Sequence, residues 1–553
     1  MTNLEILRVW MNENMLDVLI IPTNDPHFSE YVADHWKTRE WASGFSGSAG
    51  TAVITQQEAI VSVDSRYFLQ AEQQLEIEWE VLRQKVNHGL DHVHWIEERI
   101  QVGSKIGIDG RLVPASALAR TKKRFKKLGA EILAVGDPAR DIWKDRPALP
   151  AQPVFHLATE YSGENASHKL EKVRQQIDAP FLFSALDEIA WLLNLRGNDI
   201  ACNPVFYSWL LLEETKGYLF CDTSLNTQVA QHLKDLNIEI KPYDGLPIHL
   251  GKIDSIYGDS SQVPASVASQ IKVTPQASPI QLMKAKKNKT ELSNIRQAMV
   301  KDGKALKEFY SWLANQHNIT EAECADKINT CRANQDDYIG PSFSSIVGSR
   351  GNGAIIHYEP TPENCAKVEP GMLLIDSGGQ YLQGTTDITR TTCIGEATAE
   401  QKKHYTLVLK GVIGLSTAKF VKGTRGNQLE ILARQHLWDH GLNYGHGTGH
   451  GVGYLLNVHE GPQSFGSGAT AKSVPLEVGM LLTIEPGLYI PKSHGIRIEN
   501  LVVVKESKSK GFLEFETLTI YTIDESLVDW TLMSEKETKW LKDYNMWCHQ
   551  KLK

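Results

Sequence analysis

The chain reads as α/β in class: two related α/β units, then a longer α+β unit assembled from two copies of one hairpin. Three observations predict this. An apolar strand, an Asp and a helix-like run occur in LIIPTNDPHFSEYVADHW and recur in FLFSALDEIAWLLNLRG. Gly371–Tyr381, GMLLIDSGGQY, returns at Gly479–Tyr489 as GMLLTIEPGLY. Two proline-bearing stretches punctuate the chain, Pro147–Pro153 (PALPAQP) and Val263–Pro279. The first is stiff and extended, as a linker is. The boundaries that follow are residues 1–150, 151–280 and 281–553.

Composition agrees. A chain of 553 residues suits three or four domains. Hydrophobic residues at 41% and charged residues at 22% are ordinary for a protein with sizeable cores. The net charge of −8 argues against a nucleic-acid partner, which calls for a basic face. The seven cysteines include no CxxC pair, which suits a reducing compartment and excludes a cysteine-rich zinc module. The opening MTNLEILRVWMNENMLDVLIIPTN has acids among its apolar residues and no basic stretch, unlike a signal peptide. No apolar run approaches the ~18 residues of a membrane helix. The expected location is the cytoplasm, with no membrane partner.

In the first unit the pattern predicts an opening helix, strands at Leu16–Ile21 and Ala59–Val63, and a turn at Pro22–Asp25. The basic run Arg120–Lys127 (RTKKRFKK) reads as the solvated face of a helix opening near Pro114. In the second unit LLLEETKGYLF repeats the spacing of GTAVITQQEAIVSV. Neither unit has GxGxxG after its first strand, so no dinucleotide site is indicated. The third unit opens with a helix over Lys287–Gln316. Leu292, Ile295, Met299, Leu306, Phe309 and Leu313 recur at helical spacing, and Asn288 caps it with Glu291 three residues on. A helix over Glu321–Arg332 follows, then strands and turns from Gly340 to Arg350, and helices over Glu400–Phe420 and Asn427–Asp439. An aromatic-rich helical tail closes the chain and packs back on the core.

The repeated hairpins carry the chemistry. Each copy places an acid at the end of its apolar run, Asp376 or Glu485, where a charge needs a partner or a metal. Each is followed by a second acid in a strand-like run, Asp387 in TTDITRTT and Glu499 in GIRIENLVVV. Four converging carboxylates repel one another unless cations lie among them. The second copy has one extra residue before its acid, which predicts a bulge. His450 lies in HGTGHGVG, preceded by His446, between the two hairpins. Glycines at 445, 447, 449, 451 and 453 exclude a helix, so this is not the HExxH arrangement. A lone His is usually structural; a pair in this setting points to a site. One imidazole and four carboxylates suit manganese first, with cobalt, iron and zinc as alternatives. Four acids exceed what one ion needs. Two divalent ions about 3.5–4 Å apart would hold a bridging hydroxide formed near neutral pH. His357 in GAIIHY is expected at a strand end, His459 follows the Gly-rich segment in NVHEGP, and Arg497 shares a strand face with Glu499, placed to orient it or to hold substrate. Each of these three reads equally well as a hydrogen-bonded structural residue.

The segments IDSGGQY, TTDITRT, HGTGHGVG, NVHEGP, TIEPGLY and GIRIEN, in that order, with LDEIAWLLNLRG…NPVF before them, resemble the pita-bread metallopeptidases. Within that group the chain is similar over nearly its whole length to the three-domain cytosolic aminopeptidase P family. The resemblance implies two creatinase-type amino-terminal domains ahead of a pita-bread catalytic domain. It implies a dimanganese site at Asp376, Asp387, His450, Glu485 and Glu499. It further implies catalytic roles for His357, His446, His459 and Glu485, and substrate contacts from His357, His459 and Arg497. The reaction implied is hydrolysis of the bond between an N-terminal residue and a penultimate proline, by a homodimer. An Xaa-Pro bond has a tertiary amide nitrogen and a ring-fixed φ, so a pocket for the ring is needed near His357 and His459. The amino-terminal domains would then block the far side of the site and select free amino termini. Neighbouring readings are a prolidase-type dipeptidase, a methionine aminopeptidase, a creatinase-like hydrolase, and a binding module that kept the fold and lost the chemistry. The five intact ligand positions argue against the last two.

Overall fold

The computed structural model describes residues 1–85, 90–466 and 473–553. They form two compact units, Met1–Ala158 with Glu164–Ile280, and Thr159–Gly163 with Gln281–Lys553.

The first unit holds two mixed six-stranded sheets. In one the strand order is Glu80–Arg83, Ala59–Val63, Thr51–Thr55, Val18–Pro22, Lys105–Asp109, Glu131–Val135. In the other it is Ile238–Lys241, Gly217–Phe220, Trp209–Leu212, Phe181–Phe183, Ser255–Gly258, Lys272–Pro275. The order, and the alternation of antiparallel hairpin and parallel flanks, is the same in both. The repeat expected from LIIP and FLFS is therefore a repeat of topology. The basic run lies on the helix Ala115–Lys126, whose N-cap is Pro114. Only Leu118 and Phe125 of that helix are buried; Arg124 is half-buried against Glu97, and Arg120, Lys122, Lys123, Lys126 and Lys127 are exposed.

The second unit opens with the helix Lys289–Leu313. Asn288 and Glu291 form the expected capping box, with Asn288 Oδ1 accepting from the Glu291 N–H at 3.0 Å. Helix Glu321–Ala333 packs beside it. Strand Gly371–Ser377 sits between Ile346–Ser349 and Ile388–Ile394 in a three-stranded antiparallel sheet. A four-stranded sheet runs Lys419–Val421, Phe512–Thr517, Asn500–Glu506, Leu481–Ile484. The helix expected to reach Phe420 stops at Ser416, and Phe420 belongs to the edge strand Lys419–Val421. The expected helix over Asn427–Asp439 is broken into Gly426–Leu429 and Ile431–Trp438. The tail is helical over Glu535–Lys551, with Leu541, Tyr544 and Cys548 in the same buried cluster as Leu482, Ile484 and Val502. Tyr544 also ties down Arg390. Its hydroxyl accepts from Arg390 Nη2 at 2.9 Å, while Nη2 also donates to the Tyr521 carbonyl at 2.6 Å and Nη1 to the Glu499 carbonyl at 2.5 Å.

One buried contact in the first unit has a pH signature. His27 is 2% exposed, with Nδ1 2.7 Å from the Ser184 carbonyl oxygen and Nε2 2.7 Å from the Tyr243 hydroxyl. The carbonyl can only accept, so Nδ1 carries the proton and Nε2 accepts from Tyr243. Burial, against the pull of Asp25, pushes the His27 pKa down to about 4. The folded value lies below the unfolded one, so between them the unfolded chain binds more protons. The contribution is fully present above the ordinary histidine range and is lost as pH falls toward 4. Urea unfolding followed at pH 7 and pH 4.5 should show the first unit losing on the order of 2 kcal/mol to this group. His27→Gln should flatten that pH dependence; an unchanged slope would assign it to other residues.

Candidate metal centre

In the first hairpin Asp376 pairs with Thr389 and Ser377 with Ile388. Asp387 precedes the second strand by one residue. Residues 387 and 389 point to one face, so Asp376, Asp387 and Thr389 share it. In the second hairpin the ladder runs in unbroken register from Leu481↔Val503 to Ile484↔Asn500. The expected bulge is absent. The extra residue instead carries Glu485 past the last ladder pair, where its N–H donates to the Thr448 carbonyl at 2.8 Å. Glu499 sits just beyond the same pair. Its N–H donates to the Thr389 carbonyl at 3.1 Å, and the Arg497 N–H donates to Thr391 Oγ1 at 3.1 Å. Backbone bonds thus stitch the acid-bearing end of one copy to that of the other.

His450 stands on the short strand Gly449–Gly451, paired with Glu460–Phe465. Its flanking glycines answer to close packing. A Cβ at Gly449 would lie 1.9 Å from the Thr483 carbonyl oxygen, and one at Gly451 would lie 2.1 Å from that of Glu460. Only a bare backbone lets this strand approach the second hairpin closely enough for the imidazole to reach the acids.

The acids and the imidazole meet. One ligand atom from each of Asp387, His450 and Glu499 lies within 4.8 Å of the others. His450 Nε2 is 3.4 Å from Asp387 Oδ2 and 3.7 Å from Glu485 Oε1. Asp376 joins through its ladder partner: Thr389 Oγ1 donates to Glu499 Oε2 at 2.9 Å and accepts from Arg497 Nε at 3.2 Å, and Arg497 Nη2 donates to Asp376 Oδ2 at 2.7 Å. The side chains of His450 and Glu485 are 19% and 18% exposed, against 6% for Asp387. They form the open side of the cluster.

Electrostatics define what the cluster needs. Burial, with the charge of Asp387 adding to it, raises the Asp376 pKa against the pull of Arg497. Burial and the neighbouring acids push Glu485 up to about 7 and hold Glu499 well above the carboxylate range. His450 would be lowered by burial, but its bond to Asp387 and the charge of Glu485 lift it to about 9. Protein groups alone thus favour the protonated form of Asp376, Glu485 and Glu499 and an imidazolium at His450. Asp376 Oδ1 and Glu499 Oε1 are also buried without a hydrogen-bond partner. Orphaned carboxylate oxygens beside an imidazole are a fitting donor set for divalent cations, which would ionise the acids and free the Nε2 lone pair.

The other expected residues surround this cluster. The rings of His459 and His450 stand edge to face with centroids 4.2 Å apart. His357 lies in a turn after a 3-10 helix over Arg350–Ala354, not at a strand end as expected. The carbonyl before it, that of Ile356, lies 3.5 Å from Arg497 Nη2. His446 Nε2 is 2.8 Å from the Tyr489 hydroxyl, which accepts from Arg497 Nη1 at 2.7 Å. A chain of contacts therefore runs His446, Tyr489, Arg497, Asp376. Arg497 orients Asp376 directly and reaches Glu499 only through Thr389, because Arg497 ends one strand and Glu499 precedes the next. Sequence reasoning passed over Tyr489. Its signal was the Gly-x-Tyr that closes both repeats. The matching Tyr381 donates instead to Asp302, away from the acids, at 3.1 Å.

Comparison with known proteins identifies the family. Residues 293–506 match the model of metallopeptidase family M24, and residues 511–553 match the C-terminal region of peptidase M24. Residues 4–140 and 145–291 each match a creatinase/prolidase N-terminal domain. A protein of Sordaria macrospora named "Probable Xaa-Pro aminopeptidase P" is 40% identical over 98% of this chain and 94% of its own length. A protein of the same name from Aspergillus oryzae is 40% identical over 98% of the chain and 88% of its own length. The crystal structure of an X-prolyl aminopeptidase from Caenorhabditis elegans, described as a cytosolic enzyme with a di-nuclear active site, superposes with a TM-score of 0.95. It is 34% identical, covering 100% of this chain and 95% of that one. Two creatinase-type N-terminal domains followed by an M24 catalytic domain, and close kinship to these proteins along the whole length, make the chain a member of the Xaa-Pro aminopeptidase P family of M24 metallopeptidases.

Proposed function

We infer that the chain is an exopeptidase that releases the first residue from peptides with proline at the second position. One observation carries this reading. The acids of two hairpin copies and the imidazole between them meet at a single centre, in a chain related along its whole length to Xaa-Pro aminopeptidases.

Asp376, Asp387, His450, Glu485 and Glu499 would hold two divalent cations. When bound, the cations supply Lewis acidity and a water activated near neutral pH. Manganese suits this oxygen-rich set. Arg497 fixes the Asp376 carboxylate through its charge-assisted bond at 2.7 Å, and Tyr489 holds the far side of that guanidinium. Glu485 is the acid on the open side, so it takes the proton from the attacking water and returns it to the proline nitrogen. That nitrogen departs as a secondary amine and needs the proton. His459, packed against His450, and His357, beside the Arg497 contact, face the substrate and stabilise the developing oxyanion. His446 anchors the Tyr489 hydroxyl.

The finer points belong to the same reading. All seven cysteines are free, in keeping with a cytoplasmic enzyme. No described helix is long and apolar enough to cross a membrane. The homodimer is carried over from the resemblance to the family. We take residues 1–150 and 151–280 as domains that restrict entry to free amino termini, and residues 281–553 as the catalytic domain. A truncate lacking residues 1–280 should lose exopeptidase selectivity; a soluble truncate that keeps it would remove that role.

The decisive measurement is metal content followed by release of the first residue from Arg-Pro-Pro, with and without manganese. Stimulated release supports the reading, cleavage of Xaa-Pro dipeptides alone would make the protein a prolidase, and no metal with no cleavage would make it a binding module. Asp387→Asn should abolish turnover and leave the circular dichroism spectrum unchanged; equal activity would mean the ligand set is misassigned. His459→Ala should lower kcat by ~10²–10³ while metal content holds, if it stabilises the oxyanion.

A further inference from the structure

A second ion pair lies behind the acids. Asp302, on helix Lys289–Leu313, and Arg332, on helix Glu321–Ala333, are buried together, with Arg332 Nε donating to Asp302 Oδ1 at 2.7 Å and Nη2 to Oδ2 at 3.3 Å. Burying such a pair gains little stability by itself, since desolvation offsets the attraction. Its remaining bonds show what it holds. Arg332 Nη2 donates to the carbonyl of Ser377, the residue after Asp376, at 3.2 Å. Thr386 Oγ1, on the residue before Asp387, donates to Asp302 Oδ1 at 2.9 Å.

The segments it grips are otherwise irregular. Gly378 lies between two strands, and a Cβ there would sit 2.1 Å from the Thr386 carbonyl oxygen and 2.2 Å from Ser342 Oγ. Thr386 Oγ1 accepts from the Gly379 N–H at 2.9 Å, and the Thr386 N–H donates to the Gly379 carbonyl at 2.8 Å. Tyr381 also donates to Asp302 Oδ1. Two scaffold helices thus hold the Ser377 carbonyl and the Thr386 hydroxyl, on the residues that flank the two aspartates of the first hairpin, although neither Asp302 nor Arg332 is among the candidate ligands.

We propose that the Asp302–Arg332 pair, acting through Ser377 and Thr386, is a positioning device that sets the separation of Asp376 and Asp387 and thereby the affinity for the divalent cations. The proposal rests on the metal-centre reading. It concerns residues outside the five ligands and the histidines around them.

The test is calorimetric titration of metal-free full-length protein with manganese, alongside the thermal midpoint of each metal-free variant. Thr386→Val keeps the side-chain shape and removes the hydroxyl that links Asp302 to the Asp387 segment. Asp302→Asn keeps the shape and removes the charge. Thr406→Val is the control. It deletes a buried hydroxyl that donates to the Lys402 carbonyl at 2.8 Å and accepts from the Asp529 N–H at 2.8 Å, away from the acids. Thr386→Val should weaken manganese binding by about 10–100-fold, the usual cost of losing a group that orients metal ligands. Asp302→Asn should do so at least as strongly, and Thr406→Val should leave affinity within twofold. Affinity within twofold of wild type in folded Thr386→Val overturns the proposal. So does equal weakening in Thr406→Val, which would make the effect one of general stability, and so does failure of both site variants to fold, which would make the pair a folding element only. A wild-type protein that binds no divalent metal would sink the metal-centre reading itself, an outcome separate from the others.

Discussion

Four carboxyl groups held out of water within reach of one another are the constraint on which the catalytic unit is built. Such a cluster resists ionisation, because each ionised acid raises the cost of ionising the next. The raised pKa values of Asp376, Glu485 and Glu499 measure that pressure. The rest of the unit resists it. The backbone bond from Glu499 to Thr389 ties the hairpins together at the acids themselves, and Arg390 gathers the Glu499 carbonyl, the Tyr521 carbonyl and the tail residue Tyr544 around one guanidinium. A softer scaffold would relieve the repulsion by moving, and the cluster would lose its cation-binding geometry.

Duplication supplied two acid-bearing tips, and divergence gave them different surroundings. Each copy closes on Gly-x-Tyr, and each tyrosine touches an Asp–Arg pair. Tyr381 meets Asp302 with Arg332, inside the scaffold. Tyr489 meets Arg497 with Asp376, at the centre itself. The first copy therefore faces the helices, while the second contributes Glu485, which with His450 is more exposed than Asp387. An asymmetric centre follows from a symmetric ancestry: one wall braced, the other open to a peptide.

Much of this was legible in the residues. The GMLL repeat marked both hairpins, the Asn288–Glu291 box marked the cap of the long helix, which runs Lys289–Leu313 against the expected Lys287–Gln316, and the alternating glycines around His450 marked a close approach that the Gly449 and Gly451 packing displays. What was not legible depends on contacts far apart in sequence. Nothing near Arg497 says that its partner is Asp376, which lies 121 residues away. The extra residue in the second hairpin reads as a bulge until one sees that the ladder simply ends before Glu485. Asp302 and Arg332 look like ordinary helix residues, because their partners, the Ser377 carbonyl and the Thr386 hydroxyl, lie far away in sequence and carry no distinctive pattern. Candidate ligands announce themselves by residue type; the groups packed around them do not.

The amino-terminal half shows the same economy from the other side. Open α/β sheets bind small molecules at the carboxyl ends of their parallel strands. In the first sheet those ends lead into Asp25 and His27, and in the second they lead into Ser184 and Asp222. These residues are spent on one another. His27 contacts Ser184 and Tyr243, Asp25 accepts from the Tyr207 hydroxyl at 2.9 Å, and Asp222 accepts from the Tyr243 N–H at 2.8 Å. Each sheet thus closes the edge at which the other would take a ligand. A duplicated domain whose strand ends are spent on one another keeps a stable core and gives up that ligand site, which leaves the acid cluster of the hairpins as the candidate centre of the chemistry.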